Sequence, residues 1–89
     1  MAKKRERLDV IFDILIHIRN EKSVLPTRLL HLSNLPHNIF KTYIDELLNK
    51  QMVNETKDKN KVFYTINEKG YAFIEKYKEF IEFRQNFGL

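Results

Sequence analysis

Four polar side chains, His37, Asn38, Lys41 and Thr42, fall within the stretch HNIFKT. On a helix their spacing puts them along one side. Together they carry hydrogen-bond donors and acceptors suited to flat, edge-on partners. An Asn amide can pair bidentately with adenine, and a Lys ammonium can meet guanine or a phosphate. Asp45, one turn further on, fits this chemistry least, because phosphate would repel it. The plainer alternative is a solvated helix face that reads nothing. Further cations extend the pattern. Arg28 precedes this stretch, and Lys57, Lys59 and Lys61 follow it. MAKKRER, residues 1–7, brings Lys3, Lys4 and Arg5 as a basic arm or a solvated helix start.

Other chemistries have little to work with. His17, His31 and His37 are not at the i, i+4 spacing of a helical metal site, and no cysteine can join them. Gly70 and Gly88 are the only glycines, so no loop is rich enough in glycine to cradle phosphates. Ser23 and Ser33 lack a nucleophile motif. The sequence therefore predicts no enzyme activity, no cofactor, no metal and no small-molecule substrate. Without cysteine there are no disulfides, which favours an intracellular home. MAKKRER is not followed by an apolar run with a cleavage site, so no signal peptide is expected. No apolar run approaches the roughly 18 residues of a membrane span.

The 89 residues suffice for one domain, and at 43% hydrophobic they can form a packed core. The net charge of +4 suits a polyanionic partner without demanding one. With two glycines and two prolines, loops must be few and short.

The elements that must position the polar residues follow from periodicity. Residues 6–20 predict a first helix, with Leu8, Ile11, Phe12, Leu15 and Ile18 recurring at steps of three and four. Val10, Ile14 and Ile16 widen its apolar surface, so the helix is expected to be covered on two sides. Asp9, Asp13 and His17 take the remaining polar strip. Val24 and Leu25 suit a very short strand. Residues 27–33 form a short second helix behind Pro26, with Leu29 and Leu30 inward and Leu32 a further candidate. Asn34 tolerates the left-handed turn that ends it. A third helix from Pro36 to about Lys50 completes a helix-turn-helix; Ile39, Phe40, Tyr43, Ile44, Leu47 and Leu48 repeat along it at helical spacing, with Phe40, Ile44 and Leu47 facing the core. Residues 51–67 change to strand-like composition and predict a β-hairpin with a charged tip, Val53, Tyr64 and Ile66 inward. Asn67 is a good cap for a last helix from Glu68 to about Asn86. That helix carries an aromatic stripe, Phe73, Tyr77, Phe80 and Phe87, beside Ile74 and Ile81. Such a stripe either folds back on the domain or forms an interface; its length favours an interface built by heptad-like packing.

The fold expected is mainly α with a small β-hairpin: a winged helix-turn-helix plus a long C-terminal helix. PTRLLHLSNL, YIDELLNKQMV and FYTINEKGYAFIEKY resemble the ten-kilodalton archaeal winged-helix DNA-binding proteins, over nearly the whole chain and in the same order. Two departures stand out: Gln51 replaces the usual glycine after the third helix, and Asn67 replaces the usual threonine cap. The resemblance implies a homodimer joined by an antiparallel coiled coil of the last helices. Residues 1–67 are then the DNA-binding part and 68–89 the dimerisation helix, in one continuous unit. The third helix would enter the major groove with His37, Asn38, Lys41 and Thr42 on the bases. Arg28, the wing lysines and the basic arm would lie on the backbone. Phe73, Ile74, Tyr77, Phe80, Ile81 and Phe87 would form the dimer interface. The expected partners are double-stranded DNA and a second copy, in the cytoplasm on the nucleoid. A regulator of transcription is the first expectation. A chromatin-like DNA organiser, or a winged helix that docks only on protein, are the alternatives.

Overall fold

A computed structural model describes residues 6–89. Helix α1 (Arg7–Glu21) starts where Asp9 Oδ2 accepts the Glu6 backbone N–H at 3.3 Å. This side-chain link satisfies a backbone donor that the helix start leaves unpaired. Val10, Ile11, Ile14, Leu15 and Ile18 line its buried face, and Ile14, Leu15 and Ile18 lose all exposure. Strand β1 (Ser23–Val24) follows a turn in which Lys22 takes φ 67. Helix α2 (Pro26–Ser33) begins at the proline, after an extended Leu25, and ends on Asn34 in the left-handed region at φ 53. Helix α3 (His37–Asn49) then starts one residue after Pro36.

The end of α3 shows what the Gln51 departure means. The Gln51 N–H bonds the Leu48 carbonyl at 3.1 Å, and the Met52 N–H reaches back to Leu47 at 2.9 Å. This is the paired closure that needs a left-handed residue just past the helix. Gln51 supplies it at φ 60, a conformation that glycine adopts more cheaply.

Strands β2 (Val53–Asp58) and β3 (Lys61–Ile66) form the hairpin, and β1 joins it as a third strand in the order β1-β3-β2, all antiparallel. The two-residue turn Lys59–Asn60 has both φ angles positive, 48 and 69, as the turn that matches strand twist requires. Val24, Val53 and Tyr64 bury their side chains under the sheet, and Ile66 is partly buried against the core.

Helix α4 (Glu68–Asn86) is held at its start in two ways. Asn67 Oδ1 accepts the Glu68 N–H at 2.6 Å, while its Nδ2 donates to Asn54 Oδ1 on β2 at 3.2 Å. Gly70 permits close approach to the hairpin: a Cβ there would stand 2.5 Å from the Met52 carbonyl oxygen and 2.6 Å from Ile66. The first half of α4 then packs on α1, covering the second side of that wide apolar helix. Phe12 and Tyr77 lie 5.0 Å apart between ring centres, and the Tyr77 hydroxyl donates to Asp9 Oδ1. Asp9 is therefore an anchor between helices and not part of an idle polar strip.

Candidate nucleic-acid interface

The apolar side of α3 is locked into the domain, since Phe40, Ile44 and Leu47 are all buried. The opposite side carries Asn38, Thr42, Asp45 and Asn49, all exposed, at steps of four, three and four. His37 and Lys41, also exposed, occupy one flank. They line an open groove of about 120 Å³ with Pro26, Asp45 and Tyr64. The four side chains singled out from the sequence thus share the outer surface of one helix, and the first two lie in its first turn.

Their bonding states differ. The Thr42 hydroxyl donates to the Asn38 carbonyl one turn back at 3.0 Å. Lys41 stands 3.6 Å from Asp45, so the acid that fits a DNA-facing surface least is paired to a neighbour on its own helix. Burial pushes the Tyr64 hydroxyl pKa above its ordinary value, with Glu55 and Asp45 adding to the shift. Glu46 turns aside from the outer stripe to Lys50, at 2.7 Å, and to Arg7. Hydrogen bonds from Lys50 and then Arg7 hold its carboxyl below the usual range.

The flanking cations divide. Arg28 is exposed on α2 but bonded to Glu21, and that bond lowers the Glu21 pKa and raises that of Arg28. Both groups lie at the surface, where such pairs exchange readily for another anion. Register separates the wing lysines. Lys57 lies opposite Val62 and Lys61 opposite Asp58. Because successive residues alternate faces, Lys57 and Lys61 point to opposite sides of the hairpin, with Lys59 at the tip. They form an edge and not a patch. Lys3, Lys4 and Arg5 lie outside the described residues.

Ile39 departs from the apolar repeat of α3. Its spacing counts it in that repeat, yet it is 42% exposed. On a helical projection it lies about 100° from Phe40 and further still from Ile44, so it leaves the buried sector. That angle was available from the sequence.

The aromatic stripe of α4 splits along its length. Ile74 is 1% and Tyr77 6% exposed within the single chain, so two of the six expected interface residues belong to the protomer's own core. The covered second side of α1 is the physical reason. Phe73 is half-buried beside Tyr77, and Ile81 is also partly exposed. Phe80, Phe83, Phe87 and Leu89 are exposed, and so is Leu8 of α1, which sequence periodicity had placed inward. Leu8, Phe73, Tyr77 and Phe80, with the stem of Lys76, line an open apolar groove of about 230 Å³. Phe83 and Phe87 lie 5.0 Å apart between ring centres, although Phe87 stands just past the helix end.

Three helices, a turn between the second and third, a sheet-borne wing and an outward helix face define a class. A family model for the winged helix-turn-helix matches residues 4–85, and the chain belongs to that family. Among solved structures it is similar to Sso10a-2, a DNA-binding protein from Sulfolobus solfataricus. The TM-score is 0.78 at 26% identity, over 93% of this chain and 85% of that one. The MarR protein of E. coli in complex with operator DNA shares the fold at TM-score 0.67 and 22% identity, over 74% of this chain and 49% of that one. Two proteins of Methanocaldococcus jannaschii are similar in sequence. MJ0290 is 32% identical over 76 residues, 85% of this chain, and MJ0287 is 38% identical over 56 residues, 63% of it. The chain spans 34% and 57% of the length of these relatives. Among the described residues, no helix is long and apolar enough to cross a membrane.

Proposed function

We propose that the protein binds double-stranded DNA as a homodimer and regulates transcription, with α3 in the major groove and the wing beside it. The observation that carries this reading is the two-sided character of α3. Its apolar side is buried, while Asn38, Lys41 and Thr42 are presented together on the outside. A major groove about 12 Å wide admits one such helix, with its N-terminal residues nearest the bases. Lys59 at the hairpin tip and Arg28 on α2 serve the flanking phosphates, which position the protein without selecting sequence. Arg28 does so by exchanging Glu21 for phosphate. The likeness to Sso10a-2 supports the reading, as does the net charge of +4. The exposed aromatic half of α4 supports a second copy as the partner there.

Docking on protein alone is the rival. The acids Asp45 and Glu46 on α3 argue slightly for it, and their ion pairs with Lys41 and Lys50 weaken that support. A band-shift titration over a range of salt tests the proposal. Affinity falls steeply as salt rises, because bound phosphates release counterions. Lys59→Ala weakens all duplexes alike and lowers the log–log salt slope by about 1 for each protomer bound, whereas Asn38→Ala changes the ranking among sequences. Undetectable binding to any duplex at low salt contradicts the proposal. A genome-wide map of bound sites separates a regulator, with few sharp peaks, from a chromatin-like organiser, with broad coverage.

A further inference from the structure

We propose that α3 selects thymine through its 5-methyl group, using the methyl-bearing side chains of Ile39 and Thr42. This rests on the duplex-binding reading above and adds what the helix selects.

Ile39 is 42% exposed in the first turn of α3, beside Phe40 at 5%. It is absent from the residues packed on the core. Its β-branched side chain is no asset to the helix either, since it loses rotamer freedom there. Thr42 lies three residues on, a neighbour of Ile39 on the helix surface. Its hydroxyl proton is committed to the Asn38 carbonyl at 3.0 Å. That bond fixes the rotamer and with it the direction of the γ-methyl, and leaves the hydroxyl oxygen only as an acceptor. Thr42 is thereby a poorer donor to a base and a more rigid apolar contact.

The chemistry matches one base. Thymine alone among the four standard bases places a methyl group in the major groove, and apolar side-chain contact is how that group is distinguished. Asn38, exposed in the same turn, carries the amide suited to the adenine edge of an A·T pair. Asn38, Ile39 and Thr42 thus form one surface complementary to A·T steps. His37 and Lys41 sit on the other flank, where polar contacts belong.

The test uses the full chain and a duplex it selects from a random pool, prepared once with thymine and once with deoxyuridine at every thymine position. Base pairing is kept and only the methyl groups are removed. The uridine duplex binds about fourfold more weakly for each methyl contacted. Ile39→Ala and Thr42→Ser each shrink the thymine-to-uridine ratio, whereas Thr42→Val, which keeps a methyl and loses the hydroxyl, preserves the ratio. Ile39 is exposed, so its alanine variant folds, and a thermal melt checks this. Equal binding of the two duplexes by the unaltered protein overturns the inference and leaves duplex binding standing. A ratio unchanged in both Ile39→Ala and Thr42→Ser also overturns it, by assigning the effect to DNA shape. No binding to either duplex overturns both readings together.

Discussion

Helices α3 and α4 both carry apolar residues at steps of three and four, and these have opposite destinations. In α3 the buried residues form one continuous side and leave an outer surface dominated by polar groups, with Ile39 as the exposed apolar exception. In α4 the apolar side is divided along the axis. Ile74 and Tyr77 enter the core, while Phe80, Phe83 and, just past the helix end, Phe87 remain in solvent. Burial of an amphipathic helix is therefore decided by where its partner ends. The domain covers the whole apolar side of α3 and only the first half of the α4 stripe. A polar outer surface suits a charged, hydrated partner; an exposed aromatic run suits a second apolar surface.

Truncations measure this division most strongly. Phe40→Ala in α3 costs roughly 3–5 kcal/mol in denaturant unfolding, and Ile74→Ala in α4 roughly 2–5 kcal/mol. Phe83→Ala shifts the unfolding free energy of the monomer by less than about 0.5 kcal/mol. It instead weakens self-association, read by sedimentation across a concentration series. Similar stability losses from Ile74→Ala and Phe83→Ala in the monomer would erase the distinction between the two halves.

Gly70→Ala comes next. Helix propensity favours alanine by about 1 kcal/mol. The contact with the Met52 carbonyl at 2.5 Å outweighs that gain, because the obstacle is backbone and cannot rotate away. A net loss of about 2 kcal/mol is expected in thermal or denaturant unfolding, as for overpacked sites. Stabilisation by this change would mean that α4 can slide off the hairpin.

Tyr77→Phe costs about 1 kcal/mol at neutral pH, for the hydrogen bond to Asp9. The larger signature is in alkali. Burial first, and then the bond to Asp9, push the Tyr77 pKa from 10.0 up to about 12. Between those values the unfolded chain gives up a proton that the folded chain keeps. Stability present below pH 10 is therefore lost as pH rises toward 12, by roughly 2–3 kcal/mol at most. Unfolding free energies across this window fall less steeply in Tyr77→Phe. Some slope persists, since the Tyr64 pKa is raised as well.

The helices and hairpin were legible in the sequence because their signals are local. Pro26 and Asn67 mark the helix starts, Asn34 ends α2, and strand composition begins after Met52. The inward side of α3 was legible because a single apolar sector is an angular pattern. Four features were not read. β1 pairs with β3, a contact between residues 23–24 and 64–65 that no local pattern encodes. Lys57 and Lys61 looked like one cluster because sequence proximity hides the pleat; the two-residue turn at Lys59–Asn60 fixes them on opposite faces. Ile74 and Tyr77 looked like an interface because periodicity gives the side of a helix and not its covering. The link from Tyr77 to Asp9, 68 positions away, belongs to tertiary packing. Ile39 differs from these, since its angular offset was present and counting it simply as apolar concealed it.

Photo-crosslinking from single residues tests the central contrast most directly. A photoreactive side chain replaces Asn38 in one variant and Phe83 in another, each irradiated with labelled duplex at low salt. On the duplex-binding reading, the probe at residue 38 attaches to DNA and the probe at residue 83 to a second copy of the chain. Attachment of the residue 38 probe to protein, with no labelled DNA recovered, would contradict it.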